Sequence, residues 1–66
     1  MDIQLNGESR TLPDAATLAD LLTTEGLAGR RIAVEVNGQI IRRADHDTTA
    51  LGHGDVVEIV HALGGG

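Results

Sequence analysis

The sequence predicts an α+β domain in two layers, one sheet packed on one helix and trailed by a flexible glycine tail. Three features point there. Asn6-Gly7 and Asn37-Gly38 each sit between short runs of strand character, the strongest short-range signal for a β-hairpin. Between the hairpins, Leu18, Leu21 and Leu22 fall at i, i+3 and i+4, one apolar stripe on one helix. The last strand-like run, Val56 to His61, decays through Ala62-Leu63 into Gly64-Gly65-Gly66. Glycine has no side chain to pack and loses the most backbone entropy on ordering, so this ending reads as a thin, accessible tail.

The elements follow in order. Asp2 to Leu5 alternates polar and apolar with Ile3 and Leu5 inward, as a half-buried strand does. After Asn6-Gly7, Glu8 to Leu12 reads as the returning strand, closed by Pro13-Asp14 because proline cannot donate to a ladder. Thr17 is a good N-cap and Asp20, three residues on, completes an acidic variant of the capping box. The helix is expected over 17–25, with Gly26 at its C′ position and Leu27 packing back on the last turn. Ile32 to Val36 is a strand with Ile32, Val34 and Val36 inward, and Asn37-Gly38 turns the chain into Gln39-Ile40-Ile41. From Arg42 to Leu51 no period is sustained, which predicts a long connection with one short helical turn. Gly52-His53-Gly54-Asp55 turns into the final strand, Val56 to His61, with Val57 and Ile59 inward and Glu58 and Val60 on the outer face.

Composition narrows the function. A chain of 66 residues is one domain, and at this size only about 60 % of the unfolded surface is buried on folding. With no cysteine there is no disulfide and no Cys/His zinc site to help, so Leu, Ile, Val and Ala must supply the core. No aromatic residue is present. A net charge of -5 repels phosphate backbones and anionic lipid, so neither nucleic acid nor a membrane is an expected partner and a basic protein surface is a better one. No apolar stretch is long enough to span a bilayer, and Met1-Asp2 opens no signal peptide. A soluble, cytoplasmic protein is expected.

Two hairpins flanking one helix, then a long return to a last strand, match the ubiquitin-like β-grasp fold, a mixed sheet of four to five strands on one helix. The expected division is a β-grasp domain over 1–63 and a tail over 64–66. The residues also resemble the ThiS family, sulfur carriers of thiamine thiazole biosynthesis. The matching stretches are Ile3-Gln4-Leu5-Asn6-Gly7-Glu8, Thr17-Leu18-Ala19-Asp20-Leu21-Leu22, Val34-Glu35-Val36-Asn37-Gly38, Ile40-Ile41-Arg42-Arg43, and Gly54-Asp55-Val56-Val57-Glu58-Ile59-Val60-His61 before the glycines. They cover essentially the whole chain in order. Arg42 departs from the family, whose members often carry proline there; this touches the strand exit, not the chemistry. The resemblance also implies that the last strand pairs in parallel with the first.

What the resemblance implies for chemistry centres on Gly66. A ThiF-like adenylating enzyme, using ATP that the carrier itself does not bind, would activate the Gly66 carboxylate. A persulfide drawn from a cysteine desulfurase would then convert it to a thiocarboxylate, which would donate sulfur at a ThiG-like thiazole synthase. Gly64 and Gly65 would be the residues recognised in the narrow channel. The residues themselves agree: without cysteine, sulfur cannot ride here as a persulfide, and the terminal carboxyl is the group left to hold it. Glu58, Val60 and Leu63, beside the tail, are the candidate docking residues, although a scattered surface valine is an ordinary occurrence.

Other chemistry finds little support. His46, His53 and His61 lie in separate segments with no second ligand at local spacing, so neither a metal site nor acid–base catalysis is expected of them. Asp55 and Glu58 fall on opposite faces by strand parity and make no carboxylate dyad. Arg30-Arg31 and Arg42-Arg43 read as solvated charge or a polar docking surface, too small for nucleic acid. No catalytic constellation is present, and the chain is not expected to be an enzyme. A related carrier for molybdopterin or another sulfur-containing product would share the fold and tail chemistry, as would a protein-modifying tag. From a different class, a ligand- or RNA-binding β-grasp regulatory module would not need the tail; the acidity and lack of aromatics weigh against it. An iron–sulfur carrier is excluded for want of cysteine ligands.

Overall fold

The computed structural model describes residues Met1–His61. Five strands and one α-helix follow in the order β1 (Asp2–Leu5), β2 (Glu8–Thr11), α1 (Leu18–Thr24), β3 (Ile32–Val36), β4 (Gln39–Ile41) and β5 (Val56–His61), with a 3-10 turn at Arg43–Asp45 between β4 and β5. All five strands form one sheet, ordered β2-β1-β5-β3-β4. The hairpins β1–β2 and β3–β4 are antiparallel, and β5 enters between them, parallel to β1 and antiparallel to β3. This is the expected β-grasp layout, with the last strand at its centre.

Backbone accounting explains why the helix sits where it does. A helix leaves its first N–H groups without internal partners. Here Leu18 N donates to Thr49 O, Ala19 N to His46 O and Asp20 N to the Thr17 hydroxyl. Asp20 returns the favour by accepting from Thr17 N at 2.9 Å, a complete capping box. At the other end Leu27 N reaches Leu22 O and Gly26 N reaches Thr23 O, the Schellman pattern, with Gly26 at φ +74° where only glycine is unstrained. Thr17 is the N-cap, as expected, and Glu25, expected inside the helix, is the C-cap of a helix that spans Leu18–Thr24.

The helix buries Leu18, Leu21 and Leu22 against Ile3, Leu5, Val34, Val36, Val57 and Ile59 of the sheet. Ile32 points inward as expected and packs against the core, half-buried at the sheet's end. β2 is bounded at Thr11, yet the pairing runs one rung further: Leu12 N donates to Met1 O and Met1 N to Leu12 O in the hairpin's register, while the Leu12 side chain enters the core. Ala16 and Leu51 complete the core. Both lie in segments without a period, and they meet through the bond from Leu51 N to Ala16 O. No helix among the described residues is long and apolar enough to cross a membrane.

Candidate functional site

The two Asn-Gly turns do more than reverse the chain. Asn6 and Asn37 adopt φ of 49° and 52°, the left-handed region a type I′ turn requires. In that conformation each side chain reaches β5. Asn6 Oδ1 accepts from Ile59 N at 2.8 Å and Asn6 Nδ2 donates to Ile59 O at 3.3 Å. The paired residues of β1 end at Leu5, opposite Val57, so the Asn6 amide stands in for the next backbone rung. From the other side, Asn37 Oδ1 accepts from Val56 N at 2.9 Å. The strand that leads to the glycines is therefore gripped by both neighbouring hairpins.

Asp55 serves this grip. Its carboxylate accepts from Gly52 N at 2.7 Å and from Asn37 Nδ2 at 3.0 Å, closing the turn into β5. Glu58 has a different environment, so the two acids form no functional pair. It lies on the sheet face away from the helix, opposite Glu35 in the β3–β5 register. Like charges directly opposite weaken strand pairing, and neither carboxylate has an ion-pair partner among the described residues.

Around this acidic pair the outer face is aliphatic. Val60 is 61 % exposed and pairs with Ala33; Ile40 is 73 % exposed and pairs with Glu35; Val56 is 43 % exposed. The expected docking residues Glu58 and Val60 thus share one face, and Val56, Ile40 and Glu35 extend it. Strand parity in β5 could have added Val56; adding Ile40 needed the register of three strands. Leu63, Gly64, Gly65 and Gly66 lie outside the described residues, as does the division at 63/64.

The histidines are scattered. His53 Nδ1 accepts from Asp2 N at 3.0 Å, the His46 ring meets Ile41 O at 3.2 Å, and His61 stands opposite Ile32. Among the described residues no group of three His, Cys, Asp or Glu could hold a metal.

Known proteins agree with this architecture. The ThiS family matches residues 3–66. The chain is 38 % identical over 65 residues to the sulfur carrier protein ThiS of Bacillus subtilis, covering 97 % of this chain and 98 % of that one. It is also 38 % identical over 66 residues to a thiazole synthase of Magnetococcus marinus, of whose length it spans 20 %. The crystal structure of the thiamine biosynthesis protein ThiS from Geobacter metallireducens superimposes with a TM-score of 0.85 at 30 % identity, covering 100 % of both chains. With its β-grasp sheet, its central last strand and a match that runs through the glycines, the chain belongs to the ThiS family.

Proposed function

We propose that this chain carries sulfur as a thiocarboxylate on Gly66. The observation that supports the reading best is the fixing of β5 from both sides by Asn6 and Asn37, which gives the glycine end a rigid, defined point of departure. In the first step a Gly66 carboxylate oxygen attacks the α-phosphorus of ATP on an adenylating enzyme. The bond from that phosphorus to pyrophosphate breaks, and an acyl-adenylate forms. A persulfide sulfur then attacks the acyl carbon and expels AMP. A second thiol takes the donor's sulfur as a disulfide and releases the thiocarboxylate, so the electrons balance. The carrier supplies only the acyl group; ATP and the thiols belong to its partners. The match to part of a thiazole synthase supports an enzyme of that kind as the acceptor, with the Glu58 and Val60 face and Leu63 as the docking contacts.

Intact-protein mass spectrometry after incubation with ATP, an adenylating enzyme and a persulfide donor tests this. The expected result is the mass gain of one oxygen-for-sulfur exchange, localised to Gly66. Deleting Gly66, or adding a residue after it, should abolish the gain and leave the amide NMR spectrum of residues 1–61 unchanged. Normal thiolation of a lengthened chain that stays unprocessed sinks the proposal.

A further inference from the structure

The carrier reading leaves most of the positive charge unused. Arg10 is paired with Glu25 at 3.2 Å and with Glu8 at 3.5 Å, and Arg42 with Asp45 at 3.2 Å. Arg30, Arg31 and Arg43 form no ion pair among the described residues, in a chain with ten acids. Arg43 Nη2 instead donates to the Arg30 backbone carbonyl at 2.6 Å, which ties the Arg43 side chain to the Arg30 loop. Ile32 lies opposite His61, so this basic corner stands beside the end of β5. A cavity of about 190 Å³ opens there, lined by Leu22, Leu27 and Ile32 and by Arg30, Arg43 and His46. Asp47 also lines it and pairs with neither arginine among the described residues.

We propose that this corner docks an acidic segment of the enzyme that takes the tail. A partner carboxylate is held by Arg30 and Arg43, and a neighbouring aliphatic side chain seats against Leu22, Leu27 and Ile32. This rests on the carrier reading. Three arguments select that occupant. Guanidinium forks match carboxylates in bidentate geometry, and the isolated fold leaves these arginines without one. The cavity is smaller than the roughly 300–1,000 Å³ of small-molecule sites, so it suits one or two side chains. Finally, five residues, Ala62 to Gly66, follow His61, and five extended residues reach at most about 17 Å. An enzyme that closes on Gly66 therefore has its surface within about 17 Å of His61, the end of β5 that borders this corner. The partner's charge map then carries both signs, acidic here and basic toward Glu35 and Glu58, which rejects surfaces of a single sign.

The test measures affinity of the full-length chain for the adenylating enzyme and for the thiazole synthase, without ATP, at low and physiological salt. Arg30→Glu/Arg43→Glu should weaken at least one complex by about tenfold or more and flatten its salt dependence. Arg30→Gln/Arg43→Gln should fall between, with amide NMR confirming the fold of both variants. Unchanged affinity of the charge-reversed chain for both enzymes overturns the proposal. Saturable amide shifts at Arg30 and His46 on titration with inorganic phosphate also overturn it, in favour of a small-anion site. The mass gain at Gly66 is read separately. Normal thiolation with unchanged affinities rejects this corner alone; lost affinity without thiolation keeps the corner and rejects the thiocarboxylate.

Discussion

At the scale of single residues, asparagine at positions 6 and 37 does two jobs that neither glycine nor aspartate can combine. Glycine tolerates the positive φ but offers no amide. Aspartate offers an acceptor to Ile59 N but would set a carboxylate oxygen against Ile59 O, where Asn6 now donates. Asn6→Gly is therefore expected to lower stability by about 1–3 kcal/mol through the lost bonds, read from the urea midpoint, and Asn6→Asp by at least as much. Glu58 gives the opposite case. Replacing it with lysine removes the repulsion across from Glu35 and should raise stability by about 0.2–1 kcal/mol while weakening partner binding. A variant that is more stable yet binds worse marks that acid as kept for docking. The turn role of both asparagines was legible in the Asn-Gly pairs. Their grip on β5 was not, because the partner of Asn6 lies 53 residues away.

At the scale of elements, the helix shows how far local rules go. Seven residues are far short of the roughly 12–15 that an isolated helix needs, so α1 depends on its caps and its leucine stripe. Thr17→Ala should cost about 1 kcal/mol by removing the capping box. Leu21→Ala, at a fully buried position, should cost about 3–5 kcal/mol. Since a core this small rarely supplies more than about 3–5 kcal/mol of net stability, thermal or urea melts of Leu21→Ala should find much of the chain unfolded at room temperature. Cap, stripe and Gly26 stop could all be read in advance. The segment from Arg42 to Leu51 could not: it holds the helix start through the carbonyls of His46 and Thr49, and a backbone carbonyl leaves no mark in the residue pattern.

At the scale of the whole molecule, the sheet separates two surfaces of opposite character. One face packs on the helix; the other presents Val56, Val60 and Ile40 around the Glu35–Glu58 pair. Val60→Asp should leave the fold unchanged by circular dichroism and weaken a tail-binding partner by about tenfold, since it desolvates a charge at the centre of an apolar contact. Alternation along β5 was enough to place Glu58 and Val60 on that face. Parallel pairing with β1 was not readable from alternation and came from family resemblance alone, because a period of two fixes faces but not neighbours.

The position of β5 also decides how the molecule answers to force. An enzyme that draws on the chain beyond His61 pulls along a strand with ladders on both flanks, one parallel and one antiparallel. Such a load shears the rungs together; it does not unzip them one at a time as it would at a sheet edge. The body can then act as a handle, tugged, turned or pried loose by one machine after another while the fold stays shut.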